Sequence, residues 1–168
     1  MLETKDLILD KAKYTDYEKM YQNVWSREEI AKYTIWNVTK TIEEAKNRIL
    51  KTIEFQKTHN MFFVYEKVSM EPIGFAGIEV LDSNVCEEAG ICLGPDYVGK
   101  GFGRQILKCL IEYAIKEFNA KEFIYTARED NLASNNLAKS LGFCKISSKL
   151  KKENDGKVFN WIKYSLKL

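Results

Sequence analysis

Residues 91–107, ICLGPDYVGKGFGRQIL, constrain the fold more than any other stretch of the chain. A strand-like apolar run leads into a proline-containing turn, then into Gly99, Gly101 and Gly103, and then into a helical pattern. Glycine lets a backbone approach a ligand closely and adopt positive φ, and a helix N-terminus offers N–H groups to an anion. The segment predicts a phosphate-binding loop between a strand and a helix, although the glycines could also serve only a tight connection.

Two well-known phosphate-binding motifs do not fit this loop. A P-loop requires a serine or threonine after its lysine, but Lys100 is followed by Gly101. A Rossmann turn requires G-x-G-x-x-G in an early βαβ unit, whereas this loop has G-x-G-x-G spacing and follows a predicted meander. Both classes of nucleotide-binding protein are therefore disfavoured.

The rest of the chain alternates between helical and strand-like patterns, which predicts an α/β (α+β) fold. The first third is largely helical, and Thr41 with Glu44 forms a capping box. Three neighbouring strand-like runs then predict an antiparallel meander. The predicted strands are 7–9, 61–68, 72–81, 85–93, 122–127, 143–150 and 158–166, and the predicted helices are 14–24, 27–32, 41–56, 101–118 and 131–141.

Composition favours a single domain over residues 1–168, because 168 residues with 45% hydrophobic content can bury one core and no linker interrupts them. The net charge of +2 gives no reason to expect nucleic acid or a membrane surface as a partner. No signal-peptide pattern and no run of eighteen apolar residues occurs, so we expect a cytoplasmic protein. The cysteines lack metal-ligand spacing, which predicts reduced core thiols and no metal site; they are Cys86, Cys92, Cys109 and Cys144.

The glycine loop resembles the acetyl-CoA loop of the GNAT acetyltransferase superfamily, whose pattern is [QR]-x-x-G-x-[GA]. Gly101 and Gly103 match the two small residues, and Val98 stands where the family most often has Gln or Arg. A second motif follows about thirty residues later, where residues 131–143, NLASNNLAKSLGF, match N-x-x-[SA]-x-x-L-x-x-x-x-G-F. Because both motifs occur together, the resemblance predicts that the loop binds coenzyme A and not phosphate groups in general.

The resemblance extends over nearly the whole chain, since residues 32–36 and 41–45 are similar to the branch of ribosomal-protein N-terminal (alanine) acetyltransferases. It implies the GNAT fold, a central mixed, mostly antiparallel sheet of six to seven strands with about four helices packed on its faces. It also implies an enzyme, a monomer or homodimer, that transfers the acetyl group of acetyl-CoA to a primary amine by direct attack. The acceptor would be a protein N-terminus, such as that of a ribosomal protein, or a small amine.

The resemblance also implies which residues bind acetyl-CoA. The loop would hold the pyrophosphate through backbone N–H groups, and Asn131 would bind the pantetheine arm with Ser134 beside it. A backbone N–H near Cys92 or Leu93 would polarise the thioester carbonyl. The expected cofactor-binding residues are Ile91, Cys92, Leu93, Val98, Gly99, Lys100, Gly101, Phe102, Gly103, Arg104, Asn131 and Ser134.

The expected catalytic residues are Glu88, Ser134 and Tyr125. Glu88 would accept the proton of the amine, with Glu87 or Glu79 as alternatives. Many family members carry a tyrosine acid where this chain has Ala138, so the thiolate would leave unassisted or with help from Ser134 or Tyr125.

The acceptor amine would meet Tyr33, Trp36 and Glu79, with Trp25 and Trp161 as further candidates for the pocket wall. Two other functions remain open from the sequence: a non-catalytic acyl-CoA-binding module, and an interaction domain in which the glycines serve folding alone.

Overall fold

The computed structural model describes residues 1–31, 37–152 and 156–168. Within these residues the chain forms eight strands and five α-helices. The strands are β1 (Leu2–Glu3), β2 (Leu7–Asp10), β3 (Asn60–Glu66), β4 (Pro72–Asp82), β5 (Val85–Leu93), β6 (Glu122–Arg128), β7 (Cys144–Lys152) and β8 (Val158–Lys167). The helices are α1 (Tyr17–Met20), α2 (Glu28–Ala31), α3 (Ile42–Gln56), α4 (Phe102–Phe118) and α5 (Leu132–Ser140).

The sheet is mixed and mostly antiparallel, in the order β1-β2-β3-β4-β5-β6-β8-β7. Strand β5 pairs in parallel with β6, whereas β2 with β3, β3 with β4, β6 with β8 and β7 with β8 pair antiparallel. The predicted fold class is confirmed, with one strand more than expected. The additional strand is β1, whose two residues pair with Leu9 and Ile8 of β2.

The chain divides into two compact units, of which the first comprises residues 1–79 and 89–110. Its core lies where α3 meets β3. Ala45 and Ile49, four residues apart and therefore on one face of α3, are both fully buried. Burial of each large apolar side chain contributes about 1.5–3 kcal/mol. The members of this core cluster are Met20, Val24, Trp25, Ile30, Ala45, Ile49, Phe63, Tyr65 and Cys92.

The helix predicted over residues 14–24 is divided into three pieces: a 3₁₀ turn at Tyr14–Asp16, α1, and a π-helical turn at Tyr21–Trp25. The wide last turn has a local cause, because the amide and the hydroxyl of Ser26 both donate to the Tyr21 carbonyl, at 3.1 and 2.7 Å. An apolar pattern with intervals of three and four does not distinguish these variants, since all three keep one face toward the core.

The second unit comprises residues 80–88 and 111–168. The first half of β5 pairs here with β6, and the register places Cys86 beside Phe123 and Glu87 beside Ile124. Phe123 is fully buried and packs edge-on against the ring of Phe143, with 6.3 Å between the ring centroids. The prediction of one domain over residues 1–168 stays a prediction.

The cysteine prediction is wrong at one position. Cys86, Cys92 and Cys109 are buried, but Cys144 is exposed. Cys144 begins β7, the last strand in the sheet order, and all nine residues of that strand are exposed. Residues 153–155, between the last two strands, lie outside the described residues. None of the helices that the structure describes is long and apolar enough to cross a membrane.

Candidate functional site

The glycine loop follows β5 in the first unit. After a 3₁₀ turn at Pro95–Tyr97, Gly99 and Gly101 adopt φ of 84° and 78°, and α4 begins at Phe102. A Cβ atom added at Gly99 or Gly101 would meet nothing within 4 Å. These glycines are therefore required by the backbone conformation, and the backbone beside them faces open space. Gly103 already lies in the first turn of α4 and is helical.

The N-terminus of α4 is held to the loop between β1 and β2 by the side chain of Gln105. Its Oε1 accepts from Thr4 Oγ1 at 2.8 Å and from the Asp6 amide at 3.1 Å. Its Nε2 donates to Asp6 Oδ2 at 2.7 Å. Because both ends of the amide are bonded, the first turn of α4, whose N–H groups lack intrahelical acceptors, is fixed in place.

The start of the loop is anchored as well. The Gly94 amide donates to the Ile73 carbonyl at 2.8 Å, and a Cβ at Gly94 would overlap the Asn23 carbonyl in the π-helical turn. Arg27 Nη1 lies 2.8 Å from Asp96 Oδ2. The ammonium of Lys100 stands 5.0 Å from the centre of the Tyr97 ring. Lys100 and Arg104 are both exposed, as is Val98 with 59% of its surface accessible.

The end of β5 packs tightly against β4. A Cβ at Gly74 would overlap the Cys92 carbonyl and would lie about 3.0 Å from the Leu93 side chain, so only glycine fits there. Cys92 is buried, and burial raises the pKa of its thiol to about 12. The thiol therefore stays protonated at neutral pH, which agrees with a core cysteine and not with a nucleophile.

The predicted catalytic residues lie in the second unit, on β5, β6 and α5. Tyr125 pairs with Tyr164 of the neighbouring strand β8, and the β5–β6 pairing ends one residue before Glu88, where Glu87 lies beside Ile124. Tyr125 is 4% exposed. Burial first, and then the negative charge of Glu88, raise the pKa of its phenol, while the hydrogen bond between the Tyr125 and Ser134 side chains lowers it. The structure thus brings Glu88, Tyr125 and Ser134 together.

Asn131 and Ser134 lie at the start of α5, as the second motif predicts. Asn131 is the N-cap of this helix, and its Oδ1 accepts from the Ser134 amide at 3.2 Å. The capping bond fixes the side chain of Asn131 and at the same time the position of Ser134 one turn on.

Asn135 is a residue that sequence reasoning missed. It is buried, and its Nδ2 donates to the carbonyls of Arg128 at 2.8 Å and Asn131 at 2.7 Å. Tyr164 Oη donates to Asn135 Oδ1 at 2.7 Å. This side chain therefore ties the loop after β6 to α5 and to β8. A polar residue on the inner face of an otherwise amphipathic helix was the signal that could have identified it.

The other acidic candidates have different surroundings. Glu87 Oε1 accepts from Thr126 Oγ1 at 2.8 Å, and Lys163 Nζ lies 3.8 Å from Glu87 Oε2. Glu79 is exposed in the first unit. Glu87 is thus engaged in bonds on the sheet face opposite to that of Glu88.

Only some of the predicted acceptor-binding residues belong to the part of the chain that the structure describes. Tyr33 and Trp36 lie outside the described residues. Trp25 is a core residue with 1% of its surface exposed, and Trp161 is half-buried on β8. Ala138, which replaces the usual tyrosine acid, is fully buried. The described residues contain no cluster of histidine, cysteine, aspartate or glutamate that could hold a metal ion.

Comparisons with known proteins agree with this architecture. The family model described as an acetyltransferase (GNAT) domain matches residues 6–144. The curated relative "Uncharacterized N-acetyltransferase p20" of Bacillus licheniformis is 29% identical over 147 residues, covering 86% of this chain and 82% of its own length.

Many solved structures are similar in fold, and among them are two ribosomal-protein acetyltransferases. A ribosomal-protein alpha-N-acetyltransferase (RimL) in complex with coenzyme A superposes with a TM-score of 0.81 at 20% identity, covering 98% of this chain and 96% of the other. The ribosomal-protein-S5-alanine acetyltransferase of Vibrio fischeri gives a TM-score of 0.77 at 21% identity, covering 98% and 94%. With the family model matching most of its length, the chain belongs to the GNAT family and is an acetyltransferase.

Proposed function

We propose that this chain transfers the acetyl group of acetyl-CoA to a primary amine by direct attack. The acceptor is a protein N-terminus, such as that of a ribosomal protein, or a small amine. One observation carries the proposal: two left-handed glycines precede α4 and face open space, as a loop that receives a pyrophosphate through backbone N–H groups requires. The coenzyme A complex of a protein with the same fold supports it.

The chemistry of the loop fits a diphosphate. The N–H groups at the start of α4 and the positive end of the helix dipole favour negative charge. Lys100 in the loop and Arg104 in the first turn of α4 add two cations. No side chain at Gly99 or Gly101 obstructs the approach of an anion to the backbone. A backbone N–H of Cys92 or Leu93 would polarise the thioester carbonyl.

We assign the pantetheine arm to the start of α5. The capping bond of Asn131 uses its carbonyl oxygen, which leaves the amide nitrogen as the donor for a pantetheine carbonyl. Ser134 lies one turn further along the same helix and is half-buried.

Glu88 is the proposed general base. Acetyl transfer to an amine requires that the amine lose a proton as its nitrogen bonds to the carbonyl carbon. In the proposed reaction this proton passes to the Glu88 carboxylate, through a water molecule, while the bond between the carbonyl carbon and sulfur breaks. Glu88 is half-buried on β5, and its charge reaches the Tyr125 phenol.

The Tyr125 and Ser134 hydroxyls are the proposed proton donors to the departing thiolate. The raised pKa of Tyr125 means that its phenol keeps its proton at neutral pH. Part of that rise comes from the Glu88 charge, so a proton on Glu88 lowers the Tyr125 pKa just as the thiolate forms. The base and the acid are thereby coupled: the thiolate takes its proton from the Ser134 hydroxyl, Ser134 takes one from Tyr125 along their hydrogen bond, and the Tyr125 phenolate regains a proton from Glu88. The proton lost by the amine is thus balanced by the one gained by coenzyme A.

An acetylation assay tests the proposal. Acetyl-CoA is incubated with the protein and a panel of ribosomal-protein N-terminal peptides, polyamines and aminoglycosides, and free thiol is followed. We expect acceptor-dependent thiol release. Stabilisation by coenzyme A without turnover on any acceptor would instead favour a non-catalytic acyl-CoA-binding module, which the buried Ala138 makes the second candidate.

Substitution in the loop tests the cofactor assignment. Coenzyme A at a hundredfold excess over Kd should stabilise the wild type by about 2.7 kcal/mol. Gly101→Glu should abolish this stabilisation, because it places a negative charge at the pyrophosphate. Gly156→Glu is the matched control, since Gly156 also has positive φ (85°) and an uncrowded Cβ position. A folded Gly101→Glu variant that binds coenzyme A normally would refute the assignment.

A further inference from the structure

Arg48 is a cation placed against the apolar core of the first unit. It belongs to α3 and is half-buried beside Ile49. Its guanidinium carbon lies 4.8 Å from the centre of the Trp25 ring. Its Nη1 donates to Thr39 Oγ1 at 2.9 Å, and Thr39, which is itself buried, donates its amide to the Trp25 carbonyl at 2.8 Å. The Trp25 ring and the Thr39 hydroxyl are thus two of the contacts that hold the guanidinium plane.

Arg48 is charged and lies near Cys92 at the end of β5. Burial lowers the Arg48 pKa to about 10, so the group remains cationic at neutral pH although desolvation opposes the charge. The Arg48 charge also reaches Cys92, where it acts against the rise of the thiol pKa. Trp25 and Cys92 belong to one core cluster, and the Arg48 guanidinium lies against the Trp25 ring. Arg48 therefore lies at the edge of the core that contains the β5 residue whose backbone is the proposed neighbour of the thioester carbonyl.

We propose that Arg48 binds an anionic group, a carboxylate or a phosphate, carried by the acceptor amine. This inference rests on the proposed function, because the acceptor nitrogen has to reach the end of β5. A planar guanidinium binds both anions through two parallel N–H bonds, and partial removal from water strengthens that attraction. An amine that also carries an anion would be oriented by Arg48 while its nitrogen approaches the thioester.

Two matched pairs of acceptors test the proposal. The first pair is the peptides Ala-Asp and Ala-Asn with amidated C-termini, and the second is phosphoethanolamine and ethanolamine. We expect the wild type to prefer the anionic member of at least one pair in kcat/KM, by roughly tenfold or more. Arg48→Met should remove this preference through KM, and Arg48→Lys should restore only part of it because one ammonium cannot form the parallel pair of bonds.

The control is Lys51→Met, which removes an exposed positive charge from the same helix and should leave the preference unchanged. A purely structural Arg48 would lower kcat/KM equally for both members of a pair, and that result would overturn the proposal, as would a wild type without any preference. The N-acetylated forms of the same pairs, titrated against the coenzyme A-bound protein, give a readout that needs no turnover. Equal Kd values within both pairs would refute anion binding, whereas failure of the proposed function would appear separately as absent thiol release.

Discussion

At the scale of single residues, Glu87 and Glu88 are neighbours in the chain with different surroundings. Alternation along β5 sends the two carboxylates to different faces of the sheet. Glu87 meets Thr126 and Lys163, which hold its charge in place. Glu88 lies beside a buried phenol whose pKa it raises. The charge of Glu87 is thus engaged by a lysine and a hydroxyl, whereas the charge of Glu88 opposes ionisation of the Tyr125 phenol.

We expect Glu88→Gln to lower kcat by about a hundredfold or more, the usual contribution of a general base. The affinity for coenzyme A should change little, because the substitution is nearly isosteric. Steady-state kinetics with coenzyme A binding measured in parallel would show the separation.

Glu87→Gln is the matched control for this substitution and should reduce kcat only a few-fold. If Glu87→Gln were the more damaging of the two, the base would be Glu87.

The positions of candidate site residues could be predicted from the sequence where a motif contains them. Gly101 and Asn131 follow from spacing along the chain, and so does the placement of Ser134 beside Asn131. The partners of Arg48 and Asn135 could not be predicted, although the place of Asn135 on the inner face of α5 marks it as a polar residue that needs a partner. Their roles depend on partners 9 and 29 residues away, Thr39 and Tyr164. Such contacts leave no periodic signal in the sequence.

At the scale of elements, α5 begins at Asn131, a residue to which two functions can be assigned. Asn131 caps the helix, and a coenzyme A ligand would use the same side chain. Either duty alone explains an asparagine at the start of this helix. The two can be separated, because serine caps a helix as well as asparagine does but carries no amide.

Asn131→Ser should therefore leave thermal stability nearly unchanged and raise KM for acetyl-CoA by roughly tenfold, since it removes one donor to the cofactor. Asn131→Ala should lose both duties and also cost about 1 kcal/mol of stability. Chemical denaturation and steady-state kinetics on both variants would distinguish them. An unchanged KM in Asn131→Ser would reduce Asn131 to a cap.

Most helices and strands could be predicted from periodicity and turn residues, including α3, α4 and the meander from β3 to β5. The exceptions were short or irregular. Strand β1 has two residues, too few for an alternating pattern, and the π-helical turn at Tyr21–Trp25 depends on the bonds of Ser26 to the Tyr21 carbonyl. The exposure of β7 at the edge of the sheet was also missed. The sequence shows that Cys144 is apolar but not whether another element covers it.

At the scale of the whole molecule, protons on buried phenols make stability depend on alkaline pH. Burial raises the pKa of Tyr65 in the first unit and of Tyr125 in the second. Tyr65 also donates to Asp16 Oδ2 at 2.6 Å. As the pH rises past the ordinary tyrosine pKa of about 10, the unfolded chain releases phenol protons that the folded chain keeps. The folded state then binds more protons, so a further rise in pH favours unfolding.

The free energy of unfolding should therefore fall above about pH 10, by about 1.4 kcal/mol per pH unit for each retained proton. Tyr65→Phe should reduce this slope by about one proton, whereas Tyr14→Phe, at an exposed tyrosine, should not. Urea unfolding at a series of pH values would measure both slopes. Stability that is constant from pH 10 to 11 would contradict the assignment.

The close approach of β4 and β5 at Gly74 has a consequence for how the gene can vary. A methyl group at that position would overlap the Cys92 carbonyl, which is backbone and cannot rotate away. Every amino-acid substitution at Gly74 adds at least that methyl group. No single substitution there therefore keeps the present spacing of β4 and β5. A substitution of Gly74 therefore requires earlier substitutions that move the two strands apart. We expect the end of β5 to keep its position while the surrounding sequence varies.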